Sequence, residues 1–376
     1  MSVVDRAETA QAAFMVEPYS CRFISWRWLM RGCRVLTLAL AGLLSLPAFA
    51  ATPWAGAQGP AQGPVKGPAV QKDQTKALLQ FQKDLASVLA LRTESEPLLG
   101  AALLARPLTN PPAVLSYHAL LERASRNADA GPAVTWALLA DCDAKAGACP
   151  NTEALATLQK QAPDNAAVWL LKLGVDEHNG ASKDVRSDLT RAANAKLYDD
   201  YLGSSLKALA NSVSQLPPPA DTFNPLQGAG AAGVQMVIVY GLASSQPLPG
   251  FQVTAKYCED NKADAGVVGD CLKLAKVLEW GSSPLGRSLG LHLRETLSTD
   301  TADQQSAKTA RMNLIWQMQR FAQLNIQAQG DKATAQKLLS LARSGGTEMS
   351  VVLAALRTYG MPAEAPAGWE PAKVEH

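Results

Sequence analysis

The chain has 376 residues, an apolar share of 47%, a charged share of 18% and a formal net charge of +2. That balance suits a globular protein and excludes wholesale disorder. It also gives no basic stripe for nucleic acid and no polybasic cluster for an anionic membrane surface.

The first organised stretch is "MRGCRVLTLALAGLLSLPAFA", from Met30 to Ala50. Arg31 and Arg34 precede an apolar run from Val35 to Leu46, and Ala48-Phe49-Ala50 follows a helix-breaking Pro47. This is the pattern of a secretory signal peptide cleaved near Ala50. The run falls short of the roughly 20 apolar residues that span a bilayer. Residues 1–29 read either as an upstream start that is not used or as an extended n-region. The mature chain is therefore expected in the periplasm or outside the cell, with no membrane span. Residues 51–70 repeat a Gly-Pro step at 59, 63 and 67 and read as a flexible linker.

From 71 to 215 the text is helical. "DQTKALLQFQKDLASVLALR" sets Leu78, Leu79, Phe81, Leu85, Val88, Leu89 and Leu91 at near-helical spacing. "EPLLGAALLARPL" and "PPAVLSYHALLERASRN" give two further helices. Then "GPAVTWALLADCD" and "DNAAVWLLKLGVD" align Trp136 with Trp169, 33 residues apart, and an amphipathic segment follows each. "QAPDNAAVWLLKLG" joins the units through a Pro and an aromatic. A helix-turn-helix unit of this period resembles the tetratricopeptide-like helical repeat over about 130–205. The match departs from the consensus in that Gly174 comes one place late and Asp143 and Asp176 stand where a Tyr belongs. The resemblance implies an irregular stack of helical hairpins, an α-solenoid in which each pair buries its apolar face on the next.

"SQLPPPADTFNPLQGAG" carries four prolines and marks a linker at 216–228. A second helical region is expected at 229–360. Val234, Val237, Ile238 and Val239 could suit a strand, but a single strand has no partner, so a buried helix is preferred. Thr301 and Gln304 suggest a capping box for the helix that follows. Residues 361–376, rich in Pro and Ala, are expected to be a disordered tail. The fold class read from the sequence is thus all-α.

Motifs with chemical meaning lack their context. Gly228, Gly230 and Gly233 fit G-x-G-x-x-G, but a Pro-rich loop precedes them and the first acid after them is Glu259. "GRSLG" at 286–290 fits a nucleophile elbow, yet it lies in helical text, with His292 close behind. Close helix packing is the simpler use of these glycines. Glu94-Ser95 has the order used by lytic transglycosylases, without their following Gly/Met/Gln-rich segment. No zinc ligand spacing occurs among Cys142, Cys149, Cys258 and Cys271 or with the four histidines. No catalytic residue, cofactor or metal is assigned.

In an oxidising compartment those four cysteines are expected to pair. Four allow three pairings, and the local ones are chosen. Cys142–Cys149 and Cys258–Cys271 each close a turn between helices, within disulfide reach and with about 2–3 kcal/mol of stabilisation. Trp136, Trp169, Trp280 and Trp316 sit on apolar faces and read mainly as core, with Trp136 and Trp169 as possible groove aromatics. The expected role is non-catalytic binding or scaffolding of an envelope protein. The alternative is an envelope enzyme acting on cell-wall or peptide substrate.

Overall fold

The computed structural model describes residues 68–142, 150–224 and 228–371, with side chains from 73 onward. Among them are fifteen α-helices, two 3₁₀ turns and no strand, so the chain is all-α as expected. The leader, most of the first linker, Cys149 and residues 372–376 lie outside the described residues. Gln74–His376 forms one compact unit.

The helices, in order, are α1 (Pro68–Leu89), α2 (Ser95–Ala105), α3 (Tyr117–Ser125), α4 (Pro132–Leu138), α5 (Thr152–Gln161), α6 (Ala166–His178), α7 (Ser182–Ala193) and α8 (Leu202–Ser212). They continue as α9 (Gly230–Ala243), α10 (Phe251–Asp260), α11 (Ala265–Glu279), α12 (Pro284–Leu297), α13 (Thr301–Gly330), α14 (Lys332–Ser344) and α15 (Glu348–Thr358). Side-chain caps fix many of the starts. Asn151 accepts from Glu153 N and Ala154 N, Asp264 from Gly266 N and Val267 N, and Thr347 from Ser350 N. Such caps satisfy amides that the first helical turn leaves unpaired. The start of α13 differs from the expected capping box. Asp300 is its N-cap, accepting from Ala302 N at 2.9 Å, and Thr301 is already helical. Asp331 both ends α13 and caps α14, which breaks the chain sharply between them.

Two cores form, and the chain passes between them four times. One gathers α1–α3, α8, α9 and α13–α15, with Leu85, Leu104, Leu120, Val239 and Leu338 fully enclosed. The other gathers α5–α7 and α10–α12, with Leu158, Leu170, Leu189, Leu274 and Leu293 enclosed. Helix α4 faces both, giving Val134 to the first and Trp136 to the second. Each core therefore draws on helices from either side of the proline-rich segment at 216–228. The hairpins α4/α5 and α6/α7 pack in sequence order, but the next pair in that stack is α10/α11. Helix α8 instead returns to α2, α9 and α14. Sequential stacking, which defines a solenoid, stops after α7.

Close contacts use the glycines that the sequence offered as motifs. "GRSLG" lies inside α12, where a Cβ on Gly290 would stand 2.6 Å from the Ala275 carbonyl of α11. Gly228, Gly230 and Gly233 form the entry to α9, and Val234–Val239 are helical. The expected disorder after α15 does not hold for residues 361–371, which lie along α13. Trp316 Nε1 donates to the Pro362 carbonyl at 2.9 Å, and the Trp316 and Trp369 rings meet edge-on at 5.2 Å.

Cys258 and Cys271 form a disulfide between α10 and α11, with Cα atoms 6.1 Å apart. Both are fully buried in the second core. Cys142 lies just after α4, and its expected partner Cys149 is outside the described residues. Closing a loop of 13 residues constrains the unfolded chain by about 3 kcal/mol in the chain-entropy model. Cys258→Ala/Cys271→Ala is therefore expected to lower unfolding free energy by about 2–4 kcal/mol in a denaturant titration. An unchanged midpoint would show the bond to be dispensable.

Candidate functional site

Seven residues, from Asn194 to Asp200, separate α7 from the strained Tyr201 that opens α8, and they run where the two cores meet. Ala166 N donates to the Leu197 carbonyl at 2.8 Å, which lays this segment beside the start of α6. Asn165, buried at that start, then reads its backbone. Its Nδ2 donates to the Asp199 carbonyl at 2.7 Å, and its Oδ1 accepts from Asp199 N at 2.9 Å. Tyr201 is forced to φ 56°, a left-handed conformation that costs a bulky residue energy unless its surroundings hold it. They do: Tyr201 N donates to Asp199 Oδ1 at 2.9 Å, and its ring lies 5.6 Å from that of Trp136.

The kink sends Tyr198 into the second core and Asp200, 4% exposed, between the cores. Tyr198 OH donates to Asp200 Oδ2 at 3.2 Å, and Ser282 Oγ donates to Asp200 Oδ1 at 3.1 Å. Ser282 Oγ also accepts from Asp200 N at 3.2 Å. The Ser282 backbone completes the joint, donating to the Tyr198 carbonyl at 3.0 Å and accepting from Met349 N at 2.9 Å. Loop, α12 and α15 thus share one network. Its closeness depends on Gly286, where a Cβ would stand 2.8 Å from the Tyr198 ring.

Burial, and next the charge of Asp200, push both the Tyr198 phenol and the Glu348 carboxyl well above their ordinary ranges. Burial also raises Asp199. Buried acids, a phenol and a serine hydroxyl are the ingredients of acid–base chemistry. Here, however, the Asp200 oxygens and the Ser282 hydroxyl are already engaged with each other, with Tyr198 and with backbone amides. The arrangement fixes geometry, as a satisfied buried network does.

A second acid pair joins α6 to α7. Lys172 bonds Asp176 and reaches Asp188 Oδ2 at 3.3 Å. Burial first, then a hydrogen bond shared with Asp176, lifts the Asp188 carboxyl to about 6. His292 Nε2 lies 2.7 Å from Glu259 Oε1, tying α12 to α10. Among the described residues no group of three or more His, Cys, Asp or Glu side chains is placed to hold a metal ion, and no helix is long and apolar enough to cross a membrane.

The residues singled out in the sequence fall mostly inside. Trp136 and Trp169 are 1% and 5% exposed. As groove aromatics they are corrected to core residues, because both helices turn their apolar faces into the hairpin stack. Trp169 Nε1 donates to the Pro163 carbonyl at 2.7 Å, and the Arg191 guanidinium covers its ring at 4.6 Å. Cys258 and Cys271 lie in the second core. Glu94 is an exposed residue ahead of α2.

Trp280 moves the other way: it is 85% exposed. Helix α11 ends at Glu279, so the helical spacing that places Trp280 on an apolar face no longer applies there. Trp280 directly precedes Gly281 and Ser282, and Leu197, half exposed, directly precedes Tyr198. The two apolar side chains thus flank the same rigid backbone pairing. Arg287, one turn into α12, adds a half-buried cation whose Nε donates to the Gly281 carbonyl at 2.9 Å, and burial lowers its guanidinium. Sequence reading missed Asp200, Ser282 and Glu348. The one signal available was the doubled acid between aromatics in "YDDY", ahead of a helix.

These features define an all-α protein whose two cores meet at a buried polar joint, with an exposed Trp and a cation at its rim. No family model, curated protein or solved structure matches the chain.

Ser282→Ala strands the Asp200 amide in a buried place and leaves Asp200 Oδ1 with only the long bond from Leu202 N, at 3.4 Å. It is expected to cost about 2–3 kcal/mol in chemical unfolding, whereas a loss below about 0.5 kcal/mol would dismiss the joint as a stabilising element. Asp188 binds a proton more tightly in the folded chain than in the unfolded one. Its contribution therefore falls as pH rises from about 4 to about 6. Asp188→Asn should accordingly compare more favourably with the wild type at pH 7 than at pH 4 in thermal melts. The opposite trend would contradict the raised carboxyl.

Proposed function

We propose that the protein is exported and binds a partner protein of the cell envelope without catalysing a reaction, through the rim that carries Trp280. The observation that carries this reading is the exposure of Trp280 beside a rigid joint. A large aromatic left in water is disfavoured unless something covers it, and Trp is the side chain most enriched among residues that dominate interface energies. Leu197 adds apolar area, and Arg287 adds a cation that is in no ion pair among the described residues. Rigidity of the supporting backbone lowers the ordering cost of association.

Export rests on the Met30–Ala50 leader, with which the buried Cys258–Cys271 disulfide is compatible. Within the fold, α4/α5 and α6/α7 are read as two tetratricopeptide-like units. Each opens on a helix with an inward Trp, and Thr135 Oγ1 donates to Gln161 Oε1 at 2.8 Å across the first pair. They serve here as packing units inside a non-sequential bundle. The second reading, an envelope enzyme, is favoured by the Asp200 and Glu348 acids alone. It is the weaker one because Asp200 is only 4% exposed and both of its carboxyl oxygens already accept hydrogen bonds within the joint.

Capture of envelope proteins by the wild type and by Trp280→Ala, both checked for equal thermal midpoints, tests the binding reading. Specific partners held by the wild type should be lost or weakened at least tenfold by the substitution. An identical set of captured proteins at equal yield would remove Trp280 from any interface.

A further inference from the structure

Helix α13 carries a covered stripe whose reading is independent of the partner binding proposed at Trp280. Asn313, Trp316, Gln317 and Arg320 recur at helical spacing and form one stripe. Residues 361–371 lie across it as an irregular strap, bent at 363–364 and turned at 367–368, where Trp369 N donates to the Pro366 carbonyl at 3.0 Å. Trp316 Nε1 and Gln317 Nε2 donate to two successive carbonyls, those of Pro362 and Ala363, at 2.9 and 2.8 Å. Asn313 Oδ1 accepts from Ala365 N at 3.0 Å. Gly368, at φ 76°, then turns the chain so that Trp369 meets Trp316 at 5.2 Å, while the Arg320 guanidinium covers Trp316 at 4.0 Å.

Three features make this a reading site rather than ordinary packing. The helix addresses the strap's main chain, and the side chains of Pro362, Ala363, Glu364, Pro366 and Ala367 point away and are exposed. Prolines at 362 and 366 fix φ at two positions of the strap, which lowers the entropy lost on docking. One aromatic of the strap supplies the apolar contact, and under it Trp316 falls to 6% exposure. Donors that read carbonyls beside an aromatic platform are how proline-rich peptides are recognised elsewhere.

We infer that this stripe is a docking site for a short proline-containing peptide that presents its main-chain carbonyls and turns to place a following aromatic on Trp316, and that the chain's own strap occupies it as a displaceable intramolecular competitor. A tethered strap acts at high effective concentration. A free peptide therefore competes poorly until the strap is loosened.

The test uses the full chain and a labelled peptide of the strap sequence, MPAEAPAGWEP, followed by fluorescence anisotropy. Trp369→Ala, which releases the strap's end, should bind the peptide at least tenfold more tightly than the wild type. Adding Gln317→Ala to that variant should reverse the gain, with helicity by circular dichroism unchanged. Equal affinity of wild type and Trp369→Ala, or no binding to either, would overturn the proposal, as would binding that survives Gln317→Ala. Concentration-dependent dimers of the wild type that the peptide fails to disperse would give the stripe to a second copy's strap, and would overturn it too.

Discussion

Everything in this molecule turns on how a buried carboxylate, Asp200, is satisfied. An isolated ionised carboxyl in an apolar interior is costly by many kcal/mol. The chain meets that cost with the Tyr198 hydroxyl, the Ser282 hydroxyl and the amide that opens α8, the last donating from Leu202 at 3.4 Å. Tyr198 and Ser282 stand on the second core, whereas Leu202 opens α8 of the first and Met349 of α15 donates to the Ser282 carbonyl, so the joint ties the two cores together. The left-handed Tyr201 is held by the same constraint. A strained residue there makes sense only because Asn165, Asp199 and Trp136 over-determine it.

Interleaving follows from the joint. The chain leaves the first core after α3, builds α5–α7, and must return through the Tyr198–Tyr201 kink to place α8 on α2. It leaves again after α9 and comes back through α12 and α13. Leu291, Leu314 and Met349, from α12, α13 and α15, form a small apolar cluster of their own. Small residues allow close approach at these crossings, as Gly290 does at the Ala275 carbonyl and Gly286 at the Tyr198 ring. The result places Trp280, Leu197 and Arg287 beside backbone that is hydrogen-bonded between the α7–α8 loop and the turn before α12.

The sequence made the class and many element starts legible because these are local. Periodic leucines, Asn and Asp caps, and prolines at helix entries each act within one or two turns. The Cys258–Cys271 pairing was legible for the same reason, since only a short turn separates the two helices. Spacing could not tell which hairpin packs on which. That choice is made by complementary surfaces far apart in sequence, and it sent α8 away from the stack that α4–α7 began. The polar joint was hidden because "YDDY" looks like the polar start of a helix until its neighbours enclose it. Trp280 was misplaced because periodicity was carried one residue past the end of α11. The strap was read as disorder on its Pro and Ala content, although a single Trp369 is enough to seat it.

Native-state hydrogen exchange tests most directly the claim that the two cores form one unit through Asp200. The amides to follow are those of α6 in one core and α9 in the other, both well enclosed helices. The account predicts that the most protected amides of both helices exchange through a common opening, with the same free energy and the same denaturant dependence. Protection in one core that survives full exchange of the other would contradict it, and would mean that the joint at Asp200 does not couple them.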